Sequence, residues 1–303
     1  MYGLVRPTPN VPFTLKAALI ALAINIAWGG NTVAVKFGLA SVPPLWSAFI
    51  RFGLGLACVV LWARCLGLPL IPQRSDWPGL IALSLLFGTQ IILMNVGLLG
   101  TGAGAAAVLI ATHPLFAAVL AHYFIAGDRL NLQRGAGLAV AFTGTAYLLL
   151  ASGGSDVATW TLLGNLLLLF SAGLLGARLV LTARLLTQRD PALVITWQML
   201  LSLPLFLVGA LIFEPLEQWK PVEWPAMLGL LYQGIIIAGL GFMTIAYLLK
   251  RYPASTIASF GFVTPVSGVG LSVVLLNEPF TTALLVGVTA VGIGLVLITR
   301  AAK

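Results

Sequence analysis

The sequence predicts an all-α integral membrane protein, with ten transmembrane helices in two inverted five-helix repeats. Three observations carry this reading. Hydrophobic residues make up 60% of the 303 and charged residues 8%, against roughly 45–50% and about 25% in soluble domains. Too little polar surface is available to face water all round, so lipid must be the solvent. Ten apolar runs of spanning length alternate with short polar punctuation, and the second half of the chain echoes motifs of the first.

The apolar runs fall near 15–38, 44–65, 77–98, 101–125, 132–151, 159–183, 191–213, 224–249, 253–276 and 281–299, each close to the 17–25 residues or so that cross a bilayer as a helix. The first run begins behind Lys16 like a secretory signal, but it continues to about Lys36 and nine more follow, so it reads as a span. The separators "SVPP" (41–44), "IPQRSDWP" (71–78), "GDRLN" (127–131), "QRDP" (188–191) and "NEPF" (277–280) carry the Pro, Gly, Asp and Arg that end helices. They leave no room for a soluble domain.

A net charge of +8 invites a nucleic-acid partner, and the placement of the charge argues against one. With the N-terminus inside, one face collects Arg6, Lys16, Arg64, Arg74, Arg129, Arg134, Arg184, Arg189, Lys250, Arg251, Arg300 and Lys303. The other holds Lys220 beside Asp156, Glu214, Glu217, Glu223 and Glu278. Short cytoplasmic loops accumulate Lys and Arg, so the bias predicts both termini in the cytoplasm and the cytoplasmic membrane as the location. Cys58 and Cys65 share one helix about 10 Å apart, beyond disulfide reach, and read as apolar filler.

The repeat appears when the halves, 1–151 and 152–303, are compared. "SDWPGL" (75–80) is echoed by "VEWPAM" (222–227), and Pro114, Asp128, Gly137 and Gly144 are answered by Pro265, Glu278, Gly287 and Gly294. Five helices per half is an odd number, so the second copy enters the membrane upside down. Inverted repeats with broken helices are an architecture of secondary transporters. On these motifs the chain resembles a known family: "WGGNTVAVKFGLASVPPLWSAFIRFGLG" (28–55), the Pro-centred fourth and ninth spans, "NEPFT" (277–281) and the Gly-spaced last helix look like the EamA-type carriers of the drug/metabolite transporter superfamily. That resemblance implies a ten-helix inverted-repeat carrier, with many members exporting amino acids or related metabolites. "GDR" (127–129) and "NEP" (277–279) stand where members often carry Gly-Glu, which leaves the substrate open.

Polar groups left in hydrocarbon mark where to look for a site. Asn25, Trp28, Thr32 and Lys36 share one face of the first helix, with Asn31 about 60° from Trp28. Trp28 and Asn31 read as cavity lining; interhelical hydrogen bonding is the alternative for the amides, and an outer anchor for Lys36. Arg51 lies about 10 Å into the second helix, placed either to grip a carboxylate or phosphate or to serve as a structural partner to helix-end carbonyls or to an outer acid such as Glu278. Arg178 is near enough to the cytoplasm to snorkel. Gln90, Asn95, Trp197, Gln198, Gln233 and Tyr247 complete the candidate substrate contacts, aromatic rings beside amides that suit a small amphipathic solute.

Pro114 and Pro265 are expected to kink or gate their helices, with Thr112 and Thr264 relieving the freed carbonyls. His113, midway through the fourth span, is the candidate for substrate or proton contact, with a pKa range suited to coupling. Gly102 and Gly104 permit close helix approach, as do Gly287, Gly292 and Gly294; for these last three internal packing is the first reading and a homodimer face the alternative, so the chain is read as a monomer or a homodimer. Enzymatic function is not expected, since the span interiors hold no Asp or Glu, and His113 and His122 point to opposite faces of a straight helix, so no metal is expected. No phosphate-cradling Gly-Lys-Ser/Thr loop is present, and no cofactor is implied. A sugar-phosphate or nucleotide-sugar exchanger of the same superfamily is the alternative carrier.

Overall fold

The computed structural model describes residues 14–124, 131–151, 162–186, 188–252, 257 and 260–300. Arg6, Asp128, Arg129, Asp156 and Lys303, on which part of the charge argument rests, lie outside them. Among the described residues the chain is helical throughout. Helix α1 (Leu15–Leu39) starts where the Thr14 hydroxyl accepts from the Ala17 amide at 3.2 Å, a side-chain cap for an otherwise orphaned donor. α2 (Pro44–Cys65) and α8 (Pro191–Phe213) each open on proline, whose missing N–H costs nothing in a first turn, and Asp190 caps α8 through the Ala192 amide at 2.9 Å. α3 (Trp77–Leu99) follows a 3₁₀ turn, Arg74–Asp76, closed by the Gln73 amide donating to Asp76 at 2.8 Å.

The fourth span is two helices, α4 (Ala103–Ile110) and α5 (His113–Phe124). The break therefore sits at Ala111–Thr112, just before the proline instead of at it. Proline fits the first turn of the second piece and cannot extend the first. α6 (Leu132–Ala151) and α7 (Leu162–Leu186) follow. The eighth span divides into α9 (Trp224–Leu231), a π-helical segment (Tyr232–Gly241) and α10 (Phe242–Arg251). α11 (Val263–Leu276) and α12 (Thr282–Arg300) follow; α11 comes after a turn at 260–262 and carries Pro265 in its first turn. Seven stretches among the described residues are long and apolar enough to cross a membrane, and Val263–Leu276 and Thr282–Ile298 are shorter apolar helices.

Small residues make the seams. Inside a bilayer, helices associate by close packing, because lipid is as apolar as leucine. Gly137 lies against the Gly294 carbonyl between α6 and α12, and Gly97 against the Gly164 carbonyl between α3 and α7. Gly55, Gly234 and Gly239 let α2 lie directly on the π segment. The most extensive seams, α6 with α12, α3 with α7, α1 with α11, and α2 with both the π segment and α8, all join the first half of the chain to the second.

One correspondence is residue by residue. A side chain on Gly29 of α1 would meet the Thr264 carbonyl, Ser267 and the Gly268 amide of α11; one on Gly176 of α7 would meet the His113 carbonyl, Phe116 and the Ala117 amide of α5. The three partners in α5 precede those in α11 by 151 positions each.

Candidate functional site

Two guanidinium groups lie inside the bundle, and they are held in different ways. Arg51, 2% exposed, donates from Nη1 to Gln233 Oε1 at 2.8 Å and from Nη2 to Asn95 Oδ1 at 3.2 Å. Both amides are themselves anchored. Gln233 Nε2 donates to the Ala34 and Gly229 carbonyls at 2.9 and 3.0 Å, and Asn95 Nδ2 donates to the Pro44 carbonyl at 2.8 Å. The network ties α1, α2, α3 and the π segment together, so three predicted contact residues, Arg51, Asn95 and Gln233, form one clamp. Glu278 does not serve Arg51; its carboxylate accepts from the Ala103 and Gly104 amides at 2.6 and 2.9 Å and caps α4.

Arg178, expected to snorkel, instead turns inward from α7. Its guanidinium carbon stands 5.0 Å from the Phe87 ring centroid on α3 and 5.7 Å from that of Phe242 on α10, within the distance at which a cation is attracted to a ring face. It makes no hydrogen bond among the described residues, and its buried Nε has no partner. Trp28 of α1 packs on Phe242 with centroids 6.2 Å apart, and His113 lies within electrostatic reach of Arg178. Phe87 in turn meets Phe52 edge-on at 4.7 Å, and the Arg51 guanidinium covers Phe52 at 4.6 Å. An aromatic pair thus separates the two cations. Neither has an acidic partner among the described residues.

His113 is fixed by the helix break. Pro114 lacks the N–H that would reach the Ile110 carbonyl, and His113 Nδ1 lies 2.9 Å from that oxygen. A carbonyl only accepts, so Nδ1 carries the hydrogen and Nε2 of the neutral ring is left as an acceptor. Thr112 Oγ1 donates to the Leu109 carbonyl at 2.6 Å, the local relief expected of it. Thr264 behaves otherwise: it lies 3.1 Å from Asn25 Oδ1 and 3.3 Å from the Asn25 carbonyl, binding α11 to α1. Asn25 therefore belongs to a packing seam, while Thr32 donates to the Gly29 carbonyl of its own helix at 3.4 Å.

The remaining candidates scatter. Asn31 is half-buried on α1 and makes no hydrogen bond among the described residues. Gln198 is 3% exposed, with its amide likewise unengaged. Gln90 donates to Ser171 Oγ at 3.1 Å and receives that serine's hydrogen bond at its carbonyl at 2.8 Å, joining α3 to α7. Trp197 donates to the Leu70 carbonyl at 2.7 Å and meets Trp77 edge-on at 4.9 Å, away from Arg178. Tyr247 is 48% exposed on the outside of α10. Sequence gave one pointer to Arg178: Pro44 and Pro191, Trp77 and Trp224, and Gly29 and Gly176 are each 147 positions apart, and that register sets Asn31 against Arg178 and Arg51 against Gln198.

At one end of the bundle, carboxylates hold helices of the other half. Glu214, after α8, accepts from the Leu45 and Trp46 amides at 2.9 and 3.2 Å at the start of α2, while Trp46 Nε1 donates to the Glu214 carbonyl at 3.0 Å. Burial pushes the Glu214 carboxyl above the usual carboxylate range, opposed by those two amides. Ser41 and Lys220 add hydrogen bonds between the loops, and Trp46 packs on Trp219 at 5.8 Å. At the other end Arg189 Nε pairs with Asp76 at 2.7 Å. A cleft of about 170 Å³ opens between α5 and α7, lined by Leu120, Ala177, Val180, Leu181 and Arg184.

The profile of the EamA-like transporter family matches residues 15–150 and again residues 162–300. The chain belongs to that family. Among its relatives, a probable amino-acid metabolite efflux pump of Salmonella typhimurium is 27% identical over 92% of this chain and 93% of its own. Its counterpart in Escherichia coli is 26% identical over 92% and 93%. An uncharacterized transporter of Bacillus subtilis is 23% identical over 94% and 97%. A crystal structure of a protein with 21% identity superposes with a TM-score of 0.71, covering 95% of this chain and 98% of that one. The chain is a multi-pass membrane transporter of the EamA type.

Proposed function

We propose that this EamA-type transporter exports amino acids or related small metabolites across the cytoplasmic membrane by alternating access, with ten spans in two inverted repeats and both termini in the cytoplasm. The observation that carries the substrate class is the Arg178 cluster: an inward guanidinium stacked between Phe87 and Phe242, with Trp28 and His113 at its edge. A carboxylate and an apolar body, the two parts of an amino-acid metabolite, match a guanidinium and flanking rings. The two family matches and the paired seams at Gly29 and Gly176 support the repeat, and such repeats expose one central site to each side in turn. Two relatives named for amino-acid metabolite efflux support the direction.

His113 is the group on which proton coupling would rest, through Nε2; a uniport needs no titrating group. Counterflow in proteoliposomes decides among substrate classes. Labelled amino acids and their derivatives should exchange through the purified chain, and sugar phosphates should not. Preferential exchange of sugar phosphates would replace this reading with the exchanger one, and cleavage of a lipid-linked substrate without solute exchange would replace it with an intramembrane enzyme. Full pH-dependent transport in His113→Gln would remove His113 from the coupling.

A further inference from the structure

Among the described residues, the charges inside the bundle have one sign. Arg51 is 2% exposed and Arg178 is drawn inward, and the buried Nε of each has no partner. Of the six acids that the structure describes, Asp76 pairs with Arg189, Asp190 caps α8, Glu214 holds the start of α2, Glu278 caps α4, and Glu217 and Glu223 are exposed in the segment between α8 and α9. Removing an ion from water is costly unless a counter-charge meets it. An entering carboxylate gains such a partner at Arg178. An entering ammonium gains none, and it is repelled by two guanidiniums across the Phe52–Phe87 pair. Arg178 already covers one face of Phe87 and one of Phe242.

Two open polar groups, one a turn along α1 from Trp28 and one at the α4–α5 break, are neutral. Asn31 has an unengaged amide one turn from Trp28, and His113 presents Nε2 as an acceptor once Nδ1 is spent on Ile110. These suit a carbonyl or an amide N–H where an amino acid carries its ammonium. The geometry points to a net-anionic substrate: an organic monocarboxylate with a flat apolar body and no free ammonium, such as an N-acylated or 2-oxo derivative of an aromatic amino acid, with Arg178 holding the carboxylate. This rests on the carrier reading above and narrows its substrate.

The test compares three solutes of one skeleton in the same proteoliposomes at pH 7: phenylalanine, N-acetylphenylalanine and phenylpyruvate. The two anions should exchange at least tenfold faster than the zwitterion. Arg178→Met should bring that ratio to about one, while Arg178→Lys should retain part of it. A ratio measured within one preparation does not depend on how much variant folds, and monodisperse elution in detergent checks folding separately. Exchange of phenylalanine as fast as its acyl derivative overturns the inference and leaves the carrier reading standing, as does an anion preference that Arg178→Met leaves intact. Exchange of sugar phosphates alone, or of no solute, overturns both.

Discussion

Arg51 and Arg178 carry the same charge into the same bundle and meet opposite surroundings. Arg51 is gripped by two amide oxygens that are themselves tied to backbone carbonyls, so it is part of the frame. Arg178 is touched by ring faces, with no acceptor among the described residues. A guanidinium stacked on aromatics keeps its in-plane donors open, whereas one with its donors taken does not. Both cover a ring and both leave Nε without a partner, so the contrast lies at the terminal nitrogens: those of Arg51 tie helices together, and those of Arg178 meet no acceptor among the described residues.

The sharpest way to break the comparison is Arg51→Met. It leaves Gln233 Oε1 and Asn95 Oδ1 buried without donors, and should cost about 3 kcal/mol of stability or more, read as a large fall in thermal unfolding temperature in detergent. If this variant were as stable as the parent, the clamp would not be structural. Arg178→Met should do the reverse. It removes a buried charge that lacks an acidic partner, so stability should stay within about 1 kcal/mol while exchange of the preferred solute falls at least tenfold.

Two glycines test whether the halves are built alike. Gly29→Ala and Gly176→Ala each drive a methyl into a backbone carbonyl and an amide of the facing helix, and each should destabilise by about 1–3 kcal/mol. A large effect at one and none at the other would mean that the seams are not equivalent. Glu214 gives the smallest effect. Its folded pKa is raised, so its share of stability is present below the unfolded pKa and falls as pH rises through the folded one. Glu214→Gln, which keeps an acceptor for Leu45, should flatten that slope and change stability at neutral pH by about 1 kcal/mol or less, as followed by unfolding across pH 4–8.

The lipid-solvated helical fold was legible because composition alone rules out a soluble core, and Pro114 and Pro265 marked the broken spans. The amide candidates Asn95 and Gln233 were legible as costly groups in hydrocarbon, but their service to Arg51 was not. That depends on three helices meeting, which no local spacing encodes. Arg178 was misjudged for a related reason. α7 is apolar on nearly every side, so its periodicity does not declare an inner face. The direction was set by Phe87 and Phe242, far away in the chain. The π segment, too, carries no proline of its own, and its Gly234 and Gly239 lie against α2.

The predominance of seams between halves bears on how the chain is made. α1, α2, α3 and α6 find their main partners among helices that leave the ribosome last. During synthesis the early helices enter the membrane before the helices that Gly29, Gly97 and Gly137 face in the finished fold. For the same reason, two halves expressed as separate polypeptides, divided between α6 and α7, should find one another in the bilayer, while either alone should be cleared by proteolysis.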